Sequence, residues 1–153
     1  MIRRAEARDL AELARLWRAL LEHHAALDPA FALRTGGEAA LERALARALA
    51  DPDAGLFVSA GGAALAGFCS VRIERAPGLL AESARAELHE LAVAPARRRE
   101  GIGRALAAAA LAFAAERGVA RVEVRVAARN AEGQAFWSAL GFERFVDVLQ
   151  RRL

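Results

Sequence analysis

The stretch Arg97–Leu106, RRREGIGRAL, combines residue types that bind phosphate. In a strand–loop–helix arrangement, the first backbone N–H groups of the helix are unpaired and lie at the positive end of its dipole. Gly101 and Gly103 leave room for a phosphate oxygen to approach these groups, and Arg97, Arg98, Arg99 and Arg104 can add positive charge around it. The stretch therefore predicts an anion site at the start of a helix.

Three phosphate-binding motifs can be compared with this stretch. The P-loop needs a Gly-Lys-Ser/Thr ending and is excluded, because the chain contains no lysine. The dinucleotide fingerprint G-x-G-x-x-G/A needs a small residue where this chain has Leu106, although Glu123 lies about twenty residues further on, as that motif expects. The third motif, R-x-x-G-x-G, matches residues 98–103.

The elements around this stretch follow from the apolar spacing of the C-terminal half. Glu87–Ala94 is predicted to be a strand that ends at Pro95, and a helix is predicted from Ile102 to Gly118. A strand joined to the next by such a crossover is parallel to it, and Arg121–Ala127 has the valine alternation of that second strand. The remaining predictions are a short helix capped by Asn130 and ended by Gly141, and a last strand within Phe142–Leu153.

The N-terminal half predicts a strand, two helices and a hairpin. The strand is Ile2–Ala5, the first helix opens with a capping box of Asp9 and Glu12, and Thr35 with Glu38 opens the second, which Asp51-Pro52 ends. Gly61-Gly62 divides the hairpin strands Gly55–Ala60 and Leu65–Arg75. Together, the elements of the two halves predict an α/β chain with a mixed sheet and helices on both faces.

Composition limits the class of protein. A chain of 153 residues that is 56% hydrophobic is about one domain long. The first turn is charged and no apolar run approaches the roughly 20 residues of a membrane span, so we expect a cytoplasmic protein without membrane contact. The net charge is only +3, so the high pI of 10.7 reflects the all-arginine basic set and does not predict nucleic-acid binding. Cys69 is predicted to lie in the core.

The C-terminal half strongly resembles the GNAT superfamily of acyl-CoA-dependent N-acyltransferases. The similarity rests on HELAV followed by Pro95, on RRREGIGRAL, on Val122–Val126, on Asn130, and on AFWSALGF at residues 135–142. It implies a single N-acetyltransferase domain over residues 1–153. The implied architecture is a six- to seven-stranded mixed sheet whose two central parallel strands splay apart to admit acetyl-CoA as co-substrate.

The resemblance also assigns roles to residues of this chain. Leu91, Ala92 and Val93 would bind the pantetheine arm through their backbone. The pyrophosphate would lie on the amides of Arg99, Glu100, Gly101, Ile102, Gly103, Arg104 and Ala105, with Arg98 in the first motif position. Asn130, Phe136 and Trp137 would lie near the thiol end.

Amine acetylation requires a neutral amine and a polarised thioester carbonyl. Holding both substrates together supplies much of the acceleration, and the family's polariser is a backbone N–H, here near Val93. The candidate bases are Glu90, Glu87 and His89, with the two glutamates ranked first. In a regular strand, Glu87 and His89 share a face with Leu91, and a bulge, common in this strand of the family, would shift that register.

The chain departs from the family at Trp137, where many members have a tyrosine that protonates the leaving thiolate; no tyrosine occurs anywhere in the sequence. Two interpretations therefore stay open: transfer of acetyl to a primary amine of a small molecule or protein, or a non-catalytic acyl-CoA-binding sensor. The acceptor pocket would come from the first helix and the loop after it. His23 and His24 are adjacent without a third ligand, so we predict no metal site. A homodimer is one possible assembly.

Overall fold

The structure is a computed structural model that describes residues 1–62, 64–76 and 78–153. Within these residues it has one five-stranded sheet whose strands lie in chain order. Each of the first four pairs antiparallel with its neighbour, and the last pairs parallel with the fourth. The strands are β1 (Ile2–Arg4), β2 (Ala54–Ser59), β3 (Gly67–Arg75), β4 (Ala84–Val93) and β5 (Val122–Val124).

Helices cover both faces of this sheet, as the sequence predicts. They are α1 (Leu10–Leu27), α2 (Glu38–Ala50), α3 (Ile102–Glu116) and α4 (Ala131–Ser138), with short 3-10 turns at Ala7–Asp9, Pro29–Phe31 and Pro95–Arg97. Apolar residues of α1 and α2 pack against Leu56, Val58 and Phe68 on one face. Those of α3 pack with Cys69 and Leu88 on the other. The buried position of Cys69 and the mixed α/β fold class are thereby confirmed.

A β-bulge at His89 sets which side chains of β4 share a face. Ser70 pairs with Glu90 and the next residue of β3 pairs with Leu88, so His89 has no partner of its own. A regular strand would place Glu90 on the same face as Leu88. Because of the bulge, Leu88 and Leu91 instead pack together on the α3 face, and Glu90 joins Ser70 on the α1 face.

The two parallel strands part where β4 runs beyond β5. Their pairing extends only from Ala86 to Leu88, although β4 continues to Val93. Among the described residues, the second half of β4 is therefore paired on one edge only, which is the opening that the family resemblance implies between these strands.

The capping predictions for α1 and α2 are wrong. Asp9 precedes α1 but caps no N–H group there, because its carboxylate binds Arg3 and the backbone N–H of Glu6. Glu12 instead pairs with Arg15, 2.9 Å away. The residue before α2 is Gly37, without a side-chain cap, so Thr35 does not open that helix.

The predicted last strand is also wrong: residues 142–153 contain no strand. Four of their large apolar side chains form two adjacent pairs, Phe145-Val146 and Val148-Leu149, and all four are exposed. Since successive strand residues point to opposite faces, no register could bury all four on one face. Among the described residues the sheet therefore has five strands rather than six or seven, and β5 is its edge rather than a central strand.

None of the helices in the described part of the chain combines the length and apolar character that crossing a membrane demands.

Candidate functional site

The start of α3 carries an uninterrupted run of free backbone donors. Gly101 is the N-cap with φ of 79°, and Arg99 also has a left-handed φ, of 66°. In the described part of the chain, the N–H groups from Arg99 to Arg104 have no protein acceptor, and the first bonded one is that of Ala105, which donates to the carbonyl of Gly101. Such a run, at the positive end of a 15-residue helix, is suited to an extended anion.

The arginines around this helix start are not equivalent. Arg97 forms a close ion pair with Glu100 at 2.8 Å, which neutralises its charge locally. Arg98 makes only a long contact of 3.5 Å to the carbonyl of Val93. Arg99 and Arg104 are exposed, and neither makes an ion pair with a described residue. Arg98, Arg99 and Arg104 are therefore the side chains with charge to offer an anion.

The free edge of β4 lies beside this loop. Ala94 donates its N–H to the carbonyl of Ala66, towards β3. Because peptide groups alternate along a strand, Ala92 also directs its backbone to β3, whereas Leu91 and Val93 direct theirs into the gap beyond β5. Of the three predicted pantetheine contacts, Leu91 and Val93 thus present free backbone groups, and Ala92 does not.

Gly103 brings the helix start, β4 and α4 together. A Cβ at this position would lie 3.3 Å from the ring of Phe136 and 3.6 Å from the side chain of Leu91. Asn130 fixes α4 by accepting a hydrogen bond of 2.9 Å from the N–H of Gly133. The arrangement places Phe136 against the loop that carries the free amides, and its assignment to the thiol end of the cofactor stays a prediction.

Trp137 lies deeper than the other predicted contacts. It is 8% exposed and packs edge-on between Phe136 and Phe142, with ring centroids 4.9 and 5.1 Å away. Its main role in the structure is to support Phe136 from the core, which leaves little of the indole to reach a ligand.

Glu90 is the carboxylate with the most perturbed environment on β4. Its carboxylate accepts a hydrogen bond from the hydroxyl of Ser70, and its own N–H donates to the same hydroxyl oxygen at 3.2 Å. Burial raises the pKa of Glu90, against the opposing effects of the Ser70 hydrogen bond and the nearby His89. A carboxylate of this kind accepts protons more readily than an ordinary surface glutamate.

The two other candidate bases have different surroundings. Glu87 is 9% exposed, and its carboxylate is held between Arg125 at 3.1 Å and Arg85 at 3.5 Å. His89 is exposed at the bulge, with its Nε2 4.0 Å from Glu74. Glu87 is engaged in ion pairs, which leaves Glu90 as the predicted base whose carboxylate has no cationic side chain within salt-bridge distance among the described residues.

Sequence reasoning missed Ser70 and Arg125. Both act through partners on β4, Glu90 for Ser70 and Glu87 for Arg125. The pairing of Ser70 with Glu90 depends on the bulge, whose position the sequence does not give. A serine within an otherwise apolar buried strand was the available signal for Ser70, because a buried hydroxyl needs a hydrogen-bond partner.

The end of α1 borders the same face of the sheet. The carboxylate of Asp28 lies 3.8 Å from Arg129 and 3.4 Å from Arg152, and Arg129 also donates to the carbonyl of Leu27 at 3.2 Å. Nearby, His24 packs against Phe31, and burial and the neighbouring His23 lower its pKa. Among the described residues, no group of three or more His, Cys, Asp and Glu side chains could hold a metal ion.

Two cavities lie away from these groups. One of about 120 Å³ is between α1 and α2, and one of about 450 Å³ lies between Ile73, Ala84 and Gly118, at the other end of the sheet.

Comparisons with known proteins agree with this geometry. The mycothiol acetyltransferase of Kocuria rhizophila is 38% identical over 76 residues, which are 49% of this chain and 25% of that protein, so the chain spans about a quarter of that relative's length. The tetramutant of the BH1408 protein from Bacillus halodurans superposes with a TM-score of 0.88 at 21% identity, covering 100% of this chain and 99% of that one.

A third protein, aminoglycoside N-acetyltransferase AAC(6')-Iy in complex with CoA, superposes with a TM-score of 0.78 at 20% identity, covering 100% of this chain and 93% of that one. At such identities the two structural likenesses establish the fold alone. The model of the acetyltransferase (GNAT) family matches residues 14–142, which is most of the chain. The predicted resemblance is thereby confirmed, and the chain belongs to the GNAT acetyltransferase family.

Proposed function

We propose that this protein transfers the acetyl group of acetyl-CoA to a primary amine by direct attack within a ternary complex. The observation that carries the proposal is the run of unpaired N–H groups from Arg99 to Arg104, adjacent to the free edge of β4. The similarity to a mycothiol acetyltransferase and to an aminoglycoside N-acetyltransferase, the latter in complex with CoA, supports a small-molecule amine as the acceptor, with a protein amine as the other option.

The residues present fit a long, anionic thioester carrier. The diphosphate would lie on the free amides, with Arg98, Arg99 and Arg104 balancing its charge. The pantetheine arm would hydrogen-bond to the backbone of Leu91 and Val93 along the open edge of β4, much as an added strand does. Phe136 and Asn130 would flank its thiol end.

Bound acetyl-CoA would supply the activated acyl group as a thioester. Glu90 would take the proton of the acceptor's ammonium group, and the N–H of Val93, which points into the gap, would donate to the carbonyl oxygen as negative charge develops there. The C–N bond then forms as the C–S bond breaks, and the nitrogen releases its second proton to solvent. Since the chain has no tyrosine, the proton for the departing thiolate would come from solvent.

The absence of tyrosine also favours a second candidate, an acyl-CoA sensor without turnover. Trp137 occupies the position where many family members have their acid, and it is buried. In a sensor the amide run and the free edge of β4 would bind acyl-CoA in the same way, but Glu90 would have no acceptor proton to receive.

Release of free CoA from acetyl-CoA, measured with a panel of primary amines, distinguishes the two candidates. We expect amine-dependent thiol release, reduced about 100-fold or more by Glu90→Gln, because a positioned base contributes roughly that factor. Glu42→Gln, which changes an exposed glutamate on α2, is the matched control and should keep full activity. Tight binding of acetyl-CoA without turnover would favour the sensor, and no binding in calorimetry would contradict both candidates.

A further inference from the structure

We propose that Ser70 is a positioning residue, which anchors one oxygen of the Glu90 carboxylate and keeps that group ionised, so that it can take a proton from the acceptor amine. The inference rests on the proposed function, because it assigns a task to the base of that reaction. Ser70 lies on β3, is 9% exposed and belongs to none of the motifs that identify the family in this sequence.

The geometry behind this inference is a closed pair of hydrogen bonds. The Ser70 hydroxyl donates to Oε2 of Glu90, and the backbone N–H of Glu90 donates to the Ser70 oxygen. A serine hydroxyl has one proton to donate. Because the Ser70 oxygen accepts the N–H of Glu90, the hydroxyl proton of Ser70 is directed towards the carboxylate of Glu90.

The bulge at His89 makes this closed pair feasible. It brings Glu90 opposite Ser70 in the β3–β4 register, whereas a regular strand would turn the glutamate to the α3 face. The pairing fixes Oε2, and Oε1 has no hydrogen-bond partner among the described residues. One oxygen of the carboxylate is thus anchored and the other is available to an incoming ammonium group.

Ser70 donates a hydrogen bond to the Glu90 carboxylate, and among the described residues no cationic side chain lies within salt-bridge distance of that carboxylate. On β4, the neighbouring His89 is exposed, and Glu87 is engaged with Arg125. On β3, the thiol of Cys69 is buried, and burial raises its pKa well above the ordinary value, so it stays neutral.

Apolar residues of α1 pack on this face, among them Leu13, Leu16 and Trp17. The titratable groups that border the face lie at the end of α1, where burial lowers the pKa of His24 and Asp28 pairs with Arg129. Burial disfavours the ionised form of Glu90, and the Ser70 hydrogen bond is the largest effect that opposes it.

The test is the pH dependence of kcat/KM for Ser70→Ala, beside a direct carboxyl titration of Glu90 by NMR in the free protein. Loss of the hydroxyl should move the titration of Glu90 to higher pH. On the acidic limb, where activity follows the ionised fraction, kcat/KM should fall about tenfold, with no loss on the alkaline plateau. Ser70→Thr, which keeps the hydroxyl on a residue that strands tolerate well, should restore the wild-type profile.

Ser59→Ala is the matched control, because Ser59 is also a buried serine in the sheet but does not contact Glu90. A uniform loss of activity at every pH in Ser70→Ala, or an unchanged Glu90 titration, would overturn the inference and leave the proposed function standing. If the wild-type protein shows no turnover at all, the proposed function fails, and the titration still decides whether Ser70 controls the charge of Glu90.

Discussion

Burial of Glu90 makes it a better proton acceptor and also reduces the stability of the folded protein when the group is ionised. Its folded pKa lies above the ordinary value of 4.5 because burial penalises the carboxylate. The folded state therefore prefers the protonated form, and the stability that this form provides is complete below pH 4.5 and is lost as pH rises through the folded pKa. Burial thus shifts the pKa of Glu90 in the direction that suits a base in proton transfer.

The residue-scale prediction is that Glu90→Gln raises the melting temperature while it lowers activity. Glutamine cannot ionise, and its carbonyl can still accept the Ser70 hydrogen bond, so Tm should rise by about 3 °C at pH 8. The gain should disappear near pH 4, where the wild-type carboxyl is protonated. Thermal unfolding across pH measures it, with Glu42→Gln expected to follow the wild type throughout. An equal gain at both pH values would contradict a cost that comes from ionisation.

At the scale of elements, the start of α3 can be tested with two glycines of the same backbone type. Gly101, at its start, and Gly118, just after its end, have φ of 79° and 70°, and a Cβ added to either glycine would have no neighbouring atom within 4 Å. Alanine at either site should cost roughly 1 kcal/mol of stability, because both need a left-handed conformation. Only Gly101→Ala places a methyl group among the free amides.

We therefore expect Gly101→Ala to weaken CoA binding about tenfold in calorimetry and to raise the KM for acetyl-CoA with little change in kcat. Gly118→Ala should bind CoA like the wild type at the same loss of stability. Equal affinity in the two variants would mean that the helix start does not hold the diphosphate.

Local signals in the sequence were enough to predict the elements that carry this site. Pro95, Gly101 and Gly118 delimit β4 and α3 because each restricts the backbone by itself. The bulge could be expected but not placed at His89, because its position depends on pairing with β3 across about twenty residues. For the same reason the sequence suggested Glu90 as a base and gave no sign of Ser70 as its partner.

The prediction of a last strand was wrong for a related reason. The apolar content of residues 142–153 suits a strand, but its adjacent pairs do not alternate, and β5 offers an edge of only three residues. Composition favoured a strand that neither the side-chain pattern nor the available partner supports.

At the scale of the whole molecule, the pH dependence of stability combines two carboxyl groups, Glu90 and Asp9, whose pKa values shift in opposite directions. Asp9 links β1 to the start of α1 through a bidentate pair with Arg3, at 2.7 and 2.9 Å. The hydrogen bonds from Arg3 are the largest of the effects that lower the pKa of Asp9 below its ordinary 3.8. Its contribution to stability is therefore present above pH 3.8 and is lost as pH falls through the lower folded pKa, whereas that of Glu90 is lost as pH rises.

Asp9→Asn should consequently lower Tm by about 5 °C at pH 7, because it leaves the partly buried guanidinium of Arg3 without a charged partner at the junction of sheet and helix. The difference from the wild type should shrink as pH falls through the folded pKa of Asp9, where the wild-type carboxyl also loses its charge. Asp147→Asn removes an exposed ion pair with Arg144 and should change Tm little at any pH. Differential scanning calorimetry of the three proteins from pH 3 to pH 8 measures these effects, and a gap between Asp9→Asn and the wild type that stays constant with pH would show that the ion pair is not what joins β1 to α1.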